Sequence, residues 1–304
     1  MPDIINNNKK PWKVWWMLTR PHTLTAGFIP VLIGSALALE SGHFKALLFS
    51  AMLVASLLIQ SATNMFNEYY DFKRGLDHEG SVGIGGTIVR EGVHPSKIMK
   101  IALCLYFIAI LLGVYICANS SWWLVGIGII SMTVGYLYTG GPIPIAYTPF
   151  GELLAGLFMG YVIIGISYFI QTIEITVEVA IISIPTSLLI ANILSANNIR
   201  DLDGDKLAGR KTLAILLGKR NSIILLALVF IISYILLLLF PFFGLTSYWT
   251  YLAFLSAPLS IKAVKGFMNQ FTPLEMMAAM VSTAKTNTIF GLLFSIGMFL
   301  GYFL

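Results

Sequence analysis

Charge is scarce in this chain: 19 basic and 14 acidic residues stand among 304, or 11%, against about 25% in a soluble globular domain. That scarcity excludes an ordinary aqueous fold. Hydrophobic residues make up 57% and the mean hydropathy is +0.84, enough for about nine membrane helices of about 20 apolar residues each. No room is left for a sizeable soluble domain. Cysteine is equally sparse. Cys104 and Cys117 are thirteen residues apart on one predicted span, about 20 Å along a helix, and so cannot form a disulfide within the chain. The net charge of +5 would raise nucleic acid as a partner in a soluble protein. Here the placement of the basic residues explains the excess as topology, and no nucleic-acid partner is expected.

Apolar runs bounded by polar, glycine or proline breaks fall at about 22–39, 46–67, 98–117, 122–139, 150–170, 177–198, 221–240, 245–264 and 284–303. The predicted fold class is therefore all-α, a polytopic membrane protein of about nine transmembrane helices around a central cavity. The first run follows Lys9, Lys10, Lys13 and Arg20 and contains Ala36-Leu37-Ala38, which resembles a signal cleavage site, but it is long for a signal sequence and reads as a retained helix. With the N-terminus in the cytoplasm, 18 of the 19 Lys and Arg residues lie inside and only Lys45 lies outside, which predicts an N-in, C-out orientation in the plasma membrane. The acids follow suit, with only Glu40, Glu174 and Glu178 on the outer side. Two long cytoplasmic connections, about 68–97 and 199–220, carry most of the rest, and long connections in a compact protein are commonly functional.

Each of these connections begins with an asparagine and aspartates. Asn67 and Asp71 are four apart and share a helix face. Asp77 joins them only if the helix ends near Gly75 and turns back. Asn197, Asp201 and Asp205 recur at every fourth position, which predicts one carboxylate stripe on a helix. The clusters lie 130 residues apart on helices running the same way, suggesting one domain over 1–304 with two pseudo-repeats of four helices, about 20–140 and 150–265, and an appended ninth helix. Asp71, Asp77, Asp201 and Asp205 would face one another across the cavity. Four carboxylates without a histidine make a hard oxygen site suited to Mg²⁺, which completes its octahedron with water and phosphate.

The partner this implies is a diphosphate. Lys73, Arg74, Lys206, Arg210 and Lys211 flank the acids and could neutralise phosphate oxygens. An apolar membrane cavity with a diphosphate mouth points to an isoprenoid diphosphate, whose ionisation leaves an allylic cation. Tyr69, Tyr70, Tyr136 and Tyr138 lie near the same face and could shield it, although an interfacial aromatic belt explains tyrosines there equally well. Glu68, Glu79 and Asp203 fall off the stripes and read as solvated or supporting residues. The segment Ser81–Gly86 lacks the strand that a nucleotide fingerprint needs and reads as a flexible cap.

These residues resemble the UbiA-type intramembrane aromatic prenyltransferases, whose two aspartate motifs bind Mg²⁺-diphosphate: Asn67, Asp71 and Asp77 fit the first, and Asn197, Asp201 and Asp205 the second. Within that family, Arg20-Pro-His-Thr-Leu24, Asn67-Glu-Tyr-Tyr-Asp71, Ser81–Gly86 and Tyr138-Thr-Gly-Gly-Pro142 are similar to the menaquinone-pathway 1,4-dihydroxy-2-naphthoate polyprenyltransferases. The resemblance covers nearly the whole chain. It implies transfer from polyprenyl diphosphate to 1,4-dihydroxy-2-naphthoate with loss of CO₂ and diphosphate, with Asp71, Asp201 and Tyr138 at the chemistry and the lipid bilayer as surroundings. One departure is Glu68, where many members have aspartate. Arg20 and His22, and Lys285 at the predicted start of the last helix, are candidates for the acceptor, but positive-inside anchoring also accounts for Arg20. Another aromatic acceptor such as 4-hydroxybenzoate is the first alternative. A transporter is the second, disfavoured because the acids crowd one mouth and leave the span interiors nearly uncharged.

Overall fold

The computed structural model describes residues 11–21, 23–76 and 86–304; Asp77, His22, Glu79 and Ser81–Gly85 lie outside the described residues. Those described form helices and connections, with no strand among them. A short helix α1 (Pro11–Leu18) precedes α2 (Thr25–Glu40) and α3 (Ala46–Lys73); α4 (Thr87–Glu91), α5 (Pro95–Asn119) and α6 (Leu124–Leu137) follow. The next span, Gly151–Thr172, comprises α7 (Gly151–Ala155), a π-helical stretch Gly156–Val162 and α8 (Ile163–Thr172). Then come α9 (Val177–Arg200), α10 (Leu202–Leu207), α11 (Leu213–Leu239), α12 (Ala257–Asn269), entered through a 3₁₀ stretch Tyr248–Ser256, and α13 (Pro273–Phe303). Six segments are long and apolar enough to cross a membrane: α3, α5, Gly151–Thr172, α9, Leu213–Phe243 and α13. α2 and α6 are apolar but shorter.

Local chemistry sets the helix ends. The Thr176 hydroxyl accepts from Val179 N–H at 3.3 Å to cap α9, and Thr212 accepts from Ile215 N–H at 3.4 Å at α11. α13 starts at a full capping box of Thr272 and Glu275 with Pro273 in the first turn, the arrangement that satisfies the unpaired N–H groups of a helix start. This helix therefore begins eleven residues before the predicted run, and Lys285 stands in its interior rather than at its start. α3 also outruns its apolar stretch, remaining helical to Lys73 and ending at Gly75 with φ +72°, a left-handed cap that glycine adopts without strain. The second motif differs from the expected unbroken stripe: α9 stops at Arg200, Asp201 has cap geometry (φ −93°, ψ 7°), and α10 restarts at Leu202.

Without water to expel, helices in lipid associate by close backbone approach at small residues. A Cβ on Gly34 of α2 would lie 2.4 Å from the Ile164 carbonyl oxygen of α8, and one on Gly160 would lie 2.5 Å from Ser187 Cα of α9. These contacts tie α2, α8 and α9 together. α13 packs across α2, α9 and α12, and α5 lies along α3. Between these groups is a cavity of about 910 Å³, bounded chiefly by α3, α5, α6, the span Gly151–Thr172 and α9.

Candidate active site

Both Met52 and Asp71 of α3 line the cavity. Their nineteen-residue separation corresponds to about 28 Å along a helix, close to the thickness of a bilayer's hydrocarbon core. The far part is apolar, with Ile110, Val114, Ile129 and Ile166 on its walls. The mouth is polar: Asn67, Asp71, Asn197, Asp201, Asp205 and Arg210 all reach it. The break after Arg200 does not disperse the second motif, because Asp201 N–H still donates to the Asn197 carbonyl at 3.0 Å and Asp205 N–H to that of Asp201 at 2.8 Å.

One guanidinium joins the two motifs. Arg210 Nη2 lies 3.1 Å from Asp71 Oδ1, and its Nη1 lies 3.0 Å from Asp205 Oδ1. Arg210 Nε is buried and has no partner, and the cation also sits 5.2 Å from the Tyr147 ring centroid. Two carboxylates from separate helices thus converge on a single cation at the rim of an apolar chamber. Burial pushes the Asp205 carboxyl up to about 6, opposed by Arg210 and reinforced by the charges of Asp201 and Asp71. Asp201 is held differently, by a fork from Arg200 with Nε to Oδ1 at 2.7 Å and Nη2 to Oδ2 at 2.5 Å. Arg200 is only 8% exposed, and its remaining nitrogen faces the sulfurs of Met277 and Met280.

The other basic residues separate clearly. Arg74 donates to the carbonyls of Thr139 and Gly141 and lies against the Tyr70 and Tyr147 rings; it clamps the 139–141 turn instead of facing the cavity. Asn67 shares that task, its Oδ1 accepting from Thr139 Oγ1 at 2.7 Å. Lys73, Lys206 and Lys211 are exposed and off the cavity wall. Of the four tyrosines, Tyr138 alone lines the cavity. Tyr70 and Tyr136 hydrogen-bond to each other at 2.5 Å, and Tyr136 packs edge-on against Phe66.

Two residues gain importance that the linear motifs did not convey: Arg200 and Glu68. Adjacency to Asp201 was the only signal for Arg200. Glu68 is not solvated: it is 2% exposed, and its two oxygens accept from Gly86 and Ile88 N–H, each at 3.1 Å. This carboxylate anchors the chain where it re-enters after Asp77 and starts α4. Glu68→Ala should leave both amides without an acceptor, each at a cost of about 1–3 kcal/mol, and should lower the thermal midpoint in detergent. Glu68→Gln, which keeps an acceptor, should lose less. Equal midpoints for both variants and the native protein would contradict the anchoring role.

The donors around the mouth are carboxylate and amide oxygens, the set that Mg²⁺ prefers. Among the described residues no three acidic, histidine or cysteine side chains close around one point. Even so, the Arg210 guanidinium shows that Asp71 and Asp205 can share a cation, so the donor set fits the metal.

The fold and site define an all-helical integral membrane protein in which two aspartate motifs meet over an apolar chamber. The chain is a member of the UbiA prenyltransferase family, whose model matches residues 27–289. It is 56% identical to the 1,4-dihydroxy-2-naphthoate octaprenyltransferase of Bacillus subtilis over 96% of this chain and 94% of that one. It is 30% identical to the Escherichia coli protein of the same name over 95% and 96%. The fold is shared with a UbiA homologue from Archaeoglobus fulgidus solved bound to DMAPP and Mg²⁺, with a TM-score of 0.61, 15% identity, and coverage of 95% and 99%.

Proposed function

We propose that the protein transfers the prenyl group of a long polyprenyl diphosphate to 1,4-dihydroxy-2-naphthoate, releasing diphosphate and CO₂ and giving demethylmenaquinone. The observation that carries this reading is the meeting of Asp71, Asp201 and Asp205 at the rim of a 910 Å³ chamber that runs down α3; the likeness to the two naphthoate octaprenyltransferases selects the acceptor. The isoprenoid tail would lie along the apolar walls with its diphosphate at the aspartates. Mg²⁺, held by Asp71, Asp201, Asp205 and Asp77 with Asn67 and Asn197 beside them, would supply neutralisation of the diphosphate charge. Arg210 is placed to turn from the carboxylates onto the departing oxygens, which take the electron pair of the broken C1–O bond. The Tyr138 ring faces the chamber where the allylic cation forms. A ring carbon of the electron-rich acceptor then bonds to C1, and its carboxylate leaves as CO₂.

We read the molecule as nine crossings, N-in and C-out in the plasma membrane, with the mouth at the cytoplasmic face. The matched pairing of α3 with α5 and α9 with α11 supports two four-helix repeats. The test is mass spectrometry of the product formed by membranes given dihydroxynaphthoate, 4-hydroxybenzoate and mixed prenyl diphosphates. The expected result is prenylated naphthoate short of one carboxyl group, with formation stopped by EDTA and restored by Mg²⁺. Preferential prenylation of 4-hydroxybenzoate, or full activity in EDTA, would overturn the acceptor or the metal respectively.

A further inference from the structure

One buried carboxylate at the chamber wall takes no part in the aspartate motifs. Glu152 lies in the first turn of the span Gly151–Thr172 and is 6% exposed. Its Oε1 accepts from Asn198 Nδ2 at 2.8 Å, while its Oε2 is buried without a hydrogen-bond partner. Among the described residues no basic side chain is paired with it: the ion pairs of this face join Arg20 to Glu68, Arg200 to Asp201, and Arg210 to Asp71 and Asp205. Burying an ionisable group with half its hydrogen bonds unmade is costly, and a native exception of this kind calls for a reason. Packing supplies none, because a glutamine would accept from Asn198 equally well without a charge.

Its neighbours place it beside the reacting face. Asn198, which holds one oxygen, lines the chamber next to Asn197, and Leu154 and Ala155 of the same short helix α7 line it too. The Tyr138 hydroxyl stands over the start of α7, where a Cβ on Gly151 would lie 3.6 Å from it. Of the charges acting on that hydroxyl, Glu152 is the strongest, ahead of Arg210, Asp71 and Asp205. Tyr138 lines the chamber and Glu152 does not, so the tyrosine stands between the chamber and the carboxylate. α7 then passes directly into the π-helical stretch Gly156–Val162, a departure from α geometry that is frequent at functional sites.

Resting on the proposed reaction, we infer that Glu152 is the proton store of the transfer step, taking the proton of the acceptor's ring hydroxyl through the hydroxyl of Tyr138. As the ring carbon that bears the carboxylate bonds to prenyl C1, the ring captures the positive charge of the allylic cation. The neighbouring hydroxyl then becomes a ketone: its proton passes to Tyr138 Oη, and the tyrosine proton passes to Glu152 Oε2. The β-keto acid so formed loses CO₂, and the pair of the broken carbon–carbon bond returns to the ring. The ketone oxygen takes back the proton by the same route, which restores the aromatic quinol and the Glu152 carboxylate. No proton is gained or lost over the cycle. Asn198 holds Glu152 by one oxygen only, which leaves the other free for this exchange.

The test separates proton transfer from support of the wall. Glu152→Gln keeps an oxygen for Asn198 Nδ2, so its thermal midpoint in detergent should stay close to the native one. Its kcat with dihydroxynaphthoate should fall about a hundredfold, the low end of what a positioned base contributes, with KM for both substrates little changed. Tyr138→Phe keeps the ring that faces the chamber and loses only the hydroxyl; it should show a similar fall, and the double variant should be no slower than either single one, as for residues that act as a unit. Glu152→Asp, which keeps a carboxylate, should retain more activity than Glu152→Gln. Fluorine on the acceptor ring makes the hydroxyl more acidic and should narrow the gap between native and Glu152→Gln kcat, which a distorted wall would not do. Near-native kcat in Glu152→Gln, losses at the two positions that multiply, a defect confined to KM, or a gap indifferent to fluorine would each overturn the assignment. Absence of prenylated naphthoate from the native protein would instead sink the proposed reaction itself.

Discussion

Asp71→Asn should reduce prenyl transfer by at least about a hundredfold to a thousandfold, the scale on which a single preorganised charge-stabilising group acts, while leaving the protein inserted and folded. The substitution keeps the side-chain size and an acceptor oxygen for Arg210 Nη2, now at 3.1 Å, so the bundle has little reason to change. What it removes is a negative charge that a divalent metal requires. Asp201→Asn should be as inactive but less stable. Arg200 is 8% exposed and donates two bonds to the Asp201 carboxylate; an amide accepts only one of them and leaves a buried cation facing methionine sulfurs. Turnover of dihydroxynaphthoate measured beside thermal unfolding in detergent checks both. Full activity in both variants would remove the metal-diphosphate site from the aspartate motifs.

Much of this arrangement could be read from one-dimensional pattern, and the misses share a cause. The apolar runs marked the helices because lipid demands uninterrupted hydrophobic length, and Gly75 marked the end of α3 because only the local backbone decides it. Helix extensions beyond the apolar runs escaped, since the first turns of α13 carry Glu275 and are polar by composition. The motif residues were visible through their spacing, but their partners were not. Arg74 and Arg210 look alike beside an aspartate, yet Arg74 is drawn to carbonyls 65 and 67 residues away and Arg210 to a carboxylate 139 residues away. Helical phase left Glu68 as either solvated or supporting; the supporting role is settled by the return of the chain at Gly86, which the linear pattern does not contain. The break at Asp201 eluded the regular spacing because an i, i+4, i+8 pattern survives a bend when the backbone bonds on either side are kept.

Arg210→Gln tests the electrostatics of the mouth most severely. In the native protein this guanidinium occupies the space between Asp71 and Asp205 that a divalent cation would share, and all three side chains are largely withdrawn from water, at 15%, 19% and 11% exposure. Removing it leaves two carboxylates facing each other. Breaking a buried pair typically costs about 3–5 kcal/mol, and the residual exposure here places the loss at the low end. Because the neutral glutamine no longer competes for the carboxylates, Mg²⁺ alone should bind the variant more tightly and raise its thermal midpoint more than it raises that of the native protein, as linkage requires of a ligand selective for the folded state. Turnover should nonetheless fall by roughly a hundredfold, since the group that meets the departing diphosphate is gone. The pH of the measurement matters and its sign is fixed: burial holds the Asp205 carboxyl up near 6 even with Arg210 pulling it down, so protons displace metal as pH falls through that value, and loss of Arg210 moves the boundary upward. The larger Mg²⁺ shift should therefore appear at pH 8 and vanish first in the variant on acidification. Equal shifts in both proteins at pH 8, or a variant that retains full turnover, would show that Arg210 is a structural tie between α10 and α3 and takes no part in exchanging with the metal.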